Sequence, residues 1–281
     1  MTLKTCTKVN VGLNVLRKRP DGYHDLETLF VPYYGYSDIL TVEPAASLGI
    51  TIEREGGVDW DPMDDLTIKA WRLLKSDFPK LPEVSIHLEK HAPVGAGLGG
   101  GSADAAFMLK ALNELGSLGL DNEALAGYAS KLGSDCAFFI YSRPMFATGR
   151  GEVLEPFDID LSGFELKVEI PTGADGAPVA VSTREAYGGI IPRDRWEKRE
   201  EDCLQPHVRK GQNRLQTAFP PLRDLLHLPV EQWRGKVVND FESTVCPLHP
   251  DISELIADFY ARGSVYAAMS GSGSSVFGLF R

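Results

Sequence analysis

Pro93-Val94-Gly95-Ala96-Gly97-Leu98-Gly99-Gly100-Gly101-Ser102-Ala103-Asp104-Ala105-Ala106 is the stretch from which the fold of this chain is read. Five glycines fall within seven positions, followed by a serine and a helical pattern. Glycine lacks Cβ, so its backbone N–H can approach a ligand closely and positive φ costs little. Ser102 reads as an N-cap, and Ala103 to Leu115 as a helix with Phe107, Leu109, Ala111, Leu112 and Leu115 available for packing. Upstream, Val84-Ser85-Ile86-His87-Leu88-Glu89 alternates with the period of a strand. Strand, glycine loop and helix N-terminus together make an anion site, because unpaired N–H groups and the positive dipole end converge there. The loop therefore reads as a phosphate cradle, against the plainer alternative of a glycine turn without a ligand. No Lys-Ser or Lys-Thr follows the last glycine, so it is not a Walker A loop. Gly95 to Gly100 matches G-x-G-x-x-G, but the acidic residue that should close a second strand is replaced by Asp121-Asn122-Glu123, which opens a helix.

The 281 residues suffice for one large domain or two ordinary ones, and 43% hydrophobic with 24% charged residues is a globular composition. A formal net charge of −10 disfavours nucleic acid as a partner. Cys6, Cys136, Cys203 and Cys246 are far apart and form no C-x-x-C pair, which speaks for a reducing cytoplasm and against a disulfide framework or zinc site. No secretory leader and no uncharged membrane-length stretch is seen, so the expectation is a soluble, cytoplasmic protein with no membrane partner.

Lys8-Val9-Asn10-Val11-Gly12-Leu13-Asn14-Val15 alternates, placing Lys8, Asn10, Gly12 and Asn14 on one face. Pattern alone favours a half-exposed edge strand with that face solvated. Pro20-Asp21-Gly22 is a turn signal that delivers Tyr23 and His24 side by side; His24 has no partner at metal-ligand spacing. Asp64-Asp65-Leu66 opens a helix to about Phe78, and Asp121 to Leu132 forms another. Asp135 stands at the lip of the apolar run Cys136 to Ile140, either as a helix N-cap or as a functional carboxylate. A hairpin over Phe146 to Leu154 precedes the expected boundary, giving units 1–155 and 156–281.

The second unit opens with the strand Phe164 to Ile170, then a capping box at Ser182-Thr183-Arg184-Glu185 with Tyr187 one turn on. Residues 193–212 read as a charged surface excursion. Asp251 to Arg262 is amphipathic and stops at Gly263, and the chain ends as strand, small-residue loop (Ser270 to Ser275) and strand.

Together these pieces resemble the GHMP kinases, the small-molecule kinases named after galactokinase, homoserine kinase, mevalonate kinase and phosphomevalonate kinase. Pro93 to Ser102 corresponds to their phosphate loop and Met269-Ser270-Gly271-Ser272-Gly273 to their C-terminal glycine motif. Within the family the likeness is to the branch that phosphorylates the 2-hydroxyl of a cytidyl-diphosphate methylerythritol in non-mevalonate isoprenoid (terpenoid) synthesis. It rests on Lys8-Val9-Asn10, Arg19-Pro20-Asp21-Gly22-Tyr23-His24, Leu132-Gly133-Ser134-Asp135 and Asn239-Asp240-Phe241-Glu242. The resemblance implies an α+β, two-domain fold, with an N-terminal mixed sheet and helices and a C-terminal ferredoxin-like α/β sandwich.

It also implies Asp135 as catalytic base, Lys8 as its cationic partner, and Asn10 near the reacting hydroxyl. Tyr23 and Tyr187 would sandwich the cytosine, with His24 at its polar edge and Thr183 in support. ATP would lie on Pro93, Val94, Gly95, Ala96, Gly97, Leu98, Gly99, Gly100, Gly101, Ser102 and Ala103, with N–H groups from Gly97 to Ala103 on the phosphates. Leu66 and Lys90 would line its adenine pocket. Asp65 stands where asparagine is expected. Mg2+ accompanies ATP, with the Ser102 hydroxyl as one possible ligand, and the molecule would be a monomer or homodimer. Two other readings share the loop: a homoserine- or mevalonate-type kinase, and a dinucleotide-dependent oxidoreductase using Gly95 to Gly100.

Overall fold

Among the described residues, alternating and continuous apolar patterns form three antiparallel or mixed sheets and the helices that cover them. The computed structural model describes residues 1–174, 176–194 and 220–281. One sheet has the order β1 (Thr2–Lys4), β4 (Ile39–Pro44), β6 (Val84–Lys90) and β5 (Gly49–Arg54). Its β5 and β6 run parallel and the other pairs antiparallel. The second sheet is β2 (Thr7–Lys18), β3 (His24–Tyr33), β7 (Met145–Thr148) and β8 (Val153–Pro156), in that order. The third is β10 (Tyr266–Met269), β11 (Val276–Phe280) and β9 (Glu165–Glu169), antiparallel throughout.

Helices α1 (Leu66–Asp77), α2 (Gly100–Leu115), α3 (Asn122–Ala129) and α4 (Cys136–Tyr141) pack on the first sheet. Leu40, Val42, Ile86 and Leu88 from the strands join Ile68, Leu74, Met108, Leu109, Leu112, Phe138 and Phe139 from the helices in one buried core. Helix α1 starts where Asp65 accepts the Thr67 N–H (2.8 Å), and α3 where Asp121 accepts that of Ala124 (2.8 Å). A second core joins both halves of the chain: Val9, Val11, Leu29 and Val31 pack with Val168, Trp233, Tyr266, Phe277 and Leu279. The expected boundary between residues 155 and 156 thus falls at the end of β8, with apolar packing continuing across it. Among the described residues no helix is long and apolar enough to cross a membrane. The charged stretch 193–212 lies outside the described residues beyond Asp194.

Three local expectations are corrected. Helix α2 begins at Gly100 rather than Ala103, and its N-cap is Gly99 rather than Ser102. Gly99 adopts φ +74°, so the chain enters the helix through a left-handed residue and Ser102 sits within the first turn. The apolar run after Asp135 is a short buried helix, α4, and α3 stops at Ala129, before Leu132. The polar face of β2 is not solvated: Lys8, Asn10 and Asn14 are all buried. A β-bulge at Gly12 also splits that face, because pairing with β3 shifts register between Val11 and Leu13. Lys8 and Asn10 stay together, whereas Asn14 turns to donate to Glu27 Oε1 at 2.8 Å. The bulge frees Leu13 to pair with residues 238–240: its N–H reaches the Val238 carbonyl at 2.9 Å, and its carbonyl takes the Asp240 N–H at 2.8 Å.

Leu109 is fully buried at the centre of the first core. Leu109→Ala is expected to lower the unfolding free energy by about 2–5 kcal/mol, measured by urea denaturation; a loss below about 1 kcal/mol would contradict this packing.

Candidate active site

The loop from Pro93 to Gly99 runs from β6 to the start of α2. Gly95, Gly97 and Gly99 all take positive φ, between +74° and +77°. No side chain caps α2, so the first-turn N–H groups of Gly100, Gly101 and Ser102 are left to face the loop. The Ala103 N–H is spent on the Gly99 carbonyl (2.9 Å), a consequence of the earlier helix start, and so drops out of the expected cradle. The loop lines a cavity of about 540 Å³ that also touches Trp60, Asp65, Leu66, Lys69, Lys90, Ser102 and Asp104. Leu66 and Lys90 are therefore both at this cavity.

Lys90, however, is committed beneath the loop. Its Nζ lies 2.5 Å from Asp38 Oδ2 and 2.6 Å from Asp104 Oδ2. Asp38 Oδ1 accepts the backbone N–H groups of His91 (2.6 Å) and Ala92 (2.7 Å), so the end of β6 is held from two sides. Burial opposes the charge on Lys90, but Asp104 and Asp38 outweigh it and raise its pKa. The three side chains brace β6 against α2 rather than offering a free ammonium.

On the other side of the loop, β2 presents Lys8. Its ammonium donates to Asn10 Oδ1 (2.5 Å) and to the Gly97 carbonyl (3.0 Å), and lies 3.4 Å from Asp135 Oδ2. Lys8 is buried, whereas the Asp135 side chain is 32% exposed, so the carboxylate has an open side. Asp135 occupies the N-cap position of α4 but makes no side-chain capping hydrogen bond. Asn10 Nδ2 donates to Thr28 Oγ1 at 3.0 Å, orienting its amide so that the oxygen faces Lys8. The loop Ser270 to Ser275 seals this centre from the C-terminal sheet. A Cβ on Gly97 would stand 2.5 Å from the Ser270 carbonyl and 2.9 Å from that of Gly273, so only glycine permits this approach.

Lys8, Asn10 and Asp135 line a second cavity, of about 1040 Å³, with Tyr23, His24, Thr183 and Tyr187. Its aromatic arrangement differs from the expected one. His24 stacks on Tyr187 (ring centroids 4.8 Å apart, 20° between planes), while Tyr23 is exposed beneath the Arg150 guanidinium, 5.0 Å from its ring. His24 begins β3 and its ring lies against Tyr187 at the end of α5 (Thr183–Tyr187), whereas Tyr23 precedes the strand. Burial, with Lys18 adding to it, lowers the His24 pKa. The expected capping box is partly realised, since Ser182 Oγ accepts the Glu185 N–H at 3.1 Å.

Gly95, Gly97 and Gly99 border both cavities, with Lys8 and Asp135 at the seam. The two cavities thus share the glycine loop as a common wall. The model for the GHMP kinases N terminal domain matches residues 65–143. A protein of Bacteroides fragilis (strain YCH46) named 4-diphosphocytidyl-2-C-methyl-D-erythritol kinase is 43% identical, covering 97% of this chain and 89% of its own. The chain belongs to this kinase family, within the GHMP kinases. A crystal structure of 4-(cytidine 5'-diphospho)-2C-methyl-D-erythritol kinase superposes with TM-score 0.73 at 32% identity, covering 99% of this chain and 90% of that one. The homoserine kinase of Cytophaga hutchinsonii shares the fold at TM-score 0.65 but only 15% identity, over 99% of this chain and 84% of that one. Kinase family membership leaves the dinucleotide oxidoreductase reading without support.

Several parts of the site carried no sequence signal that named their role. Asp38 is a single carboxylate ahead of an apolar strand, and Arg150 belongs to an ordinary turn. Asn239-Asp240-Phe241-Glu242 stood out as a block, but its contacts depend on the fold. Asp240 accepts from Val15 N–H at 2.8 Å and from Arg193 at 2.7 and 2.9 Å. Phe241 meets the edge of Tyr187 (4.7 Å, 78°), and Glu242 Oε1 accepts the Met269 N–H at 2.8 Å.

Burial pushes the Glu242 pKa up to about 7, against the Met269 hydrogen bond and with Asp240 adding to the rise. In the unfolded chain the group titrates near its ordinary value of 4.5. Between the two values the folded state holds the proton that the unfolded state has lost, so stability from this group falls as pH rises. Glu242→Gln, which mimics the protonated form, should therefore gain stability relative to the parent on going from pH 5 to pH 8 in denaturation curves. An unchanged difference across that range would contradict the assignment.

Proposed function

We propose that the chain transfers the terminal phosphoryl group of ATP to the 2-hydroxyl of 4-diphosphocytidyl-2-C-methyl-D-erythritol, a step of non-mevalonate isoprenoid synthesis. The observation that carries this is the meeting of the two cavities at Gly95, Gly97 and Gly99, with Lys8 and Asp135 3.4 Å apart at the seam. The nucleotide would occupy the smaller cavity, its base near Leu66 and its phosphates on N–H groups from Gly97 to Ser102. The N-terminus of α2 favours negative charge by about 0.3–1 kcal/mol for an exposed group and more when partly buried. The described residues contain no group of three or more His, Cys, Asp or Glu able to hold a metal. Mg2+ would be held chiefly by phosphate oxygens and water, with the Ser102 hydroxyl, at the smaller cavity, as the protein's contribution. Bound there, the ion would neutralise phosphate charge.

The acceptor would enter the larger cavity, its cytosine against the rings of Tyr23, His24 and Tyr187 and its hydroxyl against Asp135. Seating a base between Tyr23 and Tyr187 requires the His24–Tyr187 stack to open, and Arg150 to leave or follow Tyr23. Flat rings suit such a base because offset stacking adds to the burial of both faces. Asn10 and Lys8 would hold the hydroxyl oxygen. That oxygen forms the new bond to phosphorus, its proton passes to Asp135, and the bond to the bridging oxygen breaks to release ADP. Lys8, 3.4 Å from Asp135, would offset negative charge on the attacking oxygen. Because the transition state is loose, aiming the hydroxyl counts for more than removing its proton early. Cys6, Cys136 and Cys246 are free thiols, in keeping with action in the cytoplasm.

The test is ADP release from ATP with the cytidyl substrate, beside homoserine and mevalonate. Turnover is expected with the first alone, and preference for either of the others would overturn the reading. In the same assay Asp135→Asn should lower kcat by about 10²–10⁴ while nucleotide binding is retained; an unchanged kcat would remove Asp135 from the mechanism.

A further inference from the structure

Asn239 touches neither cavity, yet its amide is used in full at the back of the catalytic centre. It is buried, and Nδ2 donates to the carbonyls of Met269 and Gly271, each at 2.8 Å. Its Oδ1 accepts the Phe241 N–H at 3.1 Å, so the amide cannot turn over without losing all three bonds. The residues on either side are pinned to Leu13, on the strand that carries Lys8 and Asn10. The turn it holds closes on that same strand. The Asn10 N–H donates to Ser270 Oγ at 3.2 Å. A Cβ at Gly271 would stand 3.2 Å from Asn10 Oδ1, 3.2 Å from the Gly97 carbonyl and 3.4 Å from Lys8 Nζ. Gly271 is therefore the wall against which the ammonium and both of its acceptors rest.

We propose that Asn239 is a positioning residue for phosphoryl transfer, holding the Gly271 turn against the Lys8 ammonium and so fixing that charge beside Asp135. The chemistry singles out the amide: two donors on one nitrogen meet two carbonyls, and an acceptor on the same group meets an N–H. A carboxylate of the same size places lone pairs against the two carbonyls and drives the turn away from Lys8. The ammonium then loses its wall but not its strand. Gly271 and Ser272 border the acceptor cavity, but its aromatic side, Tyr23, His24 and Tyr187, stands on other segments, so the defect should fall on the chemical step more than on binding.

This inference rests on the kinase reading above, and the experiment separates the two. Wild-type turnover of the cytidyl substrate is measured first; its absence counts against the function, not against Asn239. With an active parent, Asn239→Asp is purified, shown to be folded by circular dichroism, and assayed with each substrate varied. The expected result is a kcat lower by about 10–100-fold, since small misplacements of reacting groups cost that much. Both KM values should remain within about threefold, as expected when ground-state binding is untouched. An unchanged kcat in the folded variant, or a loss carried by either KM, would overturn the proposal. Should Asn239→Asp not fold, Asn239→Ser, which keeps one donor, is judged by the same split: kcat falling by about threefold or more at constant KM supports it, and any other pattern refutes it.

Discussion

The site depends on one buried ammonium. Lys8 is removed from water on β2, an edge strand covered by the two glycine loops, and a lone charge there would be strongly disfavoured. Two neutral oxygens, from Asn10 and Gly97, and the partly exposed carboxylate of Asp135 take the place of solvent. Only the last carries a full charge, and only it faces open space. Breaking such an arrangement by removing one partner is costly, because the other charge stays behind. The surrounding structure can therefore be understood as whatever is needed to keep those oxygens in place.

Two distant loops supply that support by interlocking. The loop ahead of α2 brings the Gly97 carbonyl, and the C-terminal turn brings Gly271 over it. Ser275 Oγ donates to the Ala96 carbonyl at 2.7 Å, tying the loops a second time. Neither loop can tolerate a side chain at the contact, which accounts for glycine in both. The bulge at Gly12 completes the arrangement, for it frees Leu13 to bind residues 238–240 while Lys8 and Asn10 remain paired to β3. Behind the first loop, Asp38, Lys90 and Asp104 hold β6 to α2, so the cradle is anchored on both sides.

How much of this was legible in the sequence follows from the range of each interaction. Local signals worked: glycine density marked the loop ahead of α2, Pro20-Asp21-Gly22 marked the turn before Tyr23, and Asp65, Asp121 and Ser182 marked helix starts. The helix start at Gly100 was missed because a left-handed glycine can serve as N-cap where serine is the usual sign. Strand period placed Lys8 and Asn10 side by side but gave no hint of the covering turn, so the face read as solvated. The exact period also concealed the bulge, whose cause is the long-range pairing of Leu13. Lys90 was expected only to line a pocket, and its pairing with Asp38 and Asp104 depends on residues 52 and 14 positions away. For Asn239 to Glu242 the residue types suggested something built, yet their partners lie on β2, α5 and β10, which no local pattern can join.

The most direct measurement is a crystal structure of the chain with a non-hydrolysable ATP analogue and the cytidyl acceptor bound together. The account predicts the terminal phosphate on the N–H groups that open α2, with the acceptor hydroxyl in hydrogen-bond contact with Asp135 and close to Lys8. A triphosphate seated away from the glycine loop, or an acceptor hydroxyl turned from that carboxylate, would contradict it.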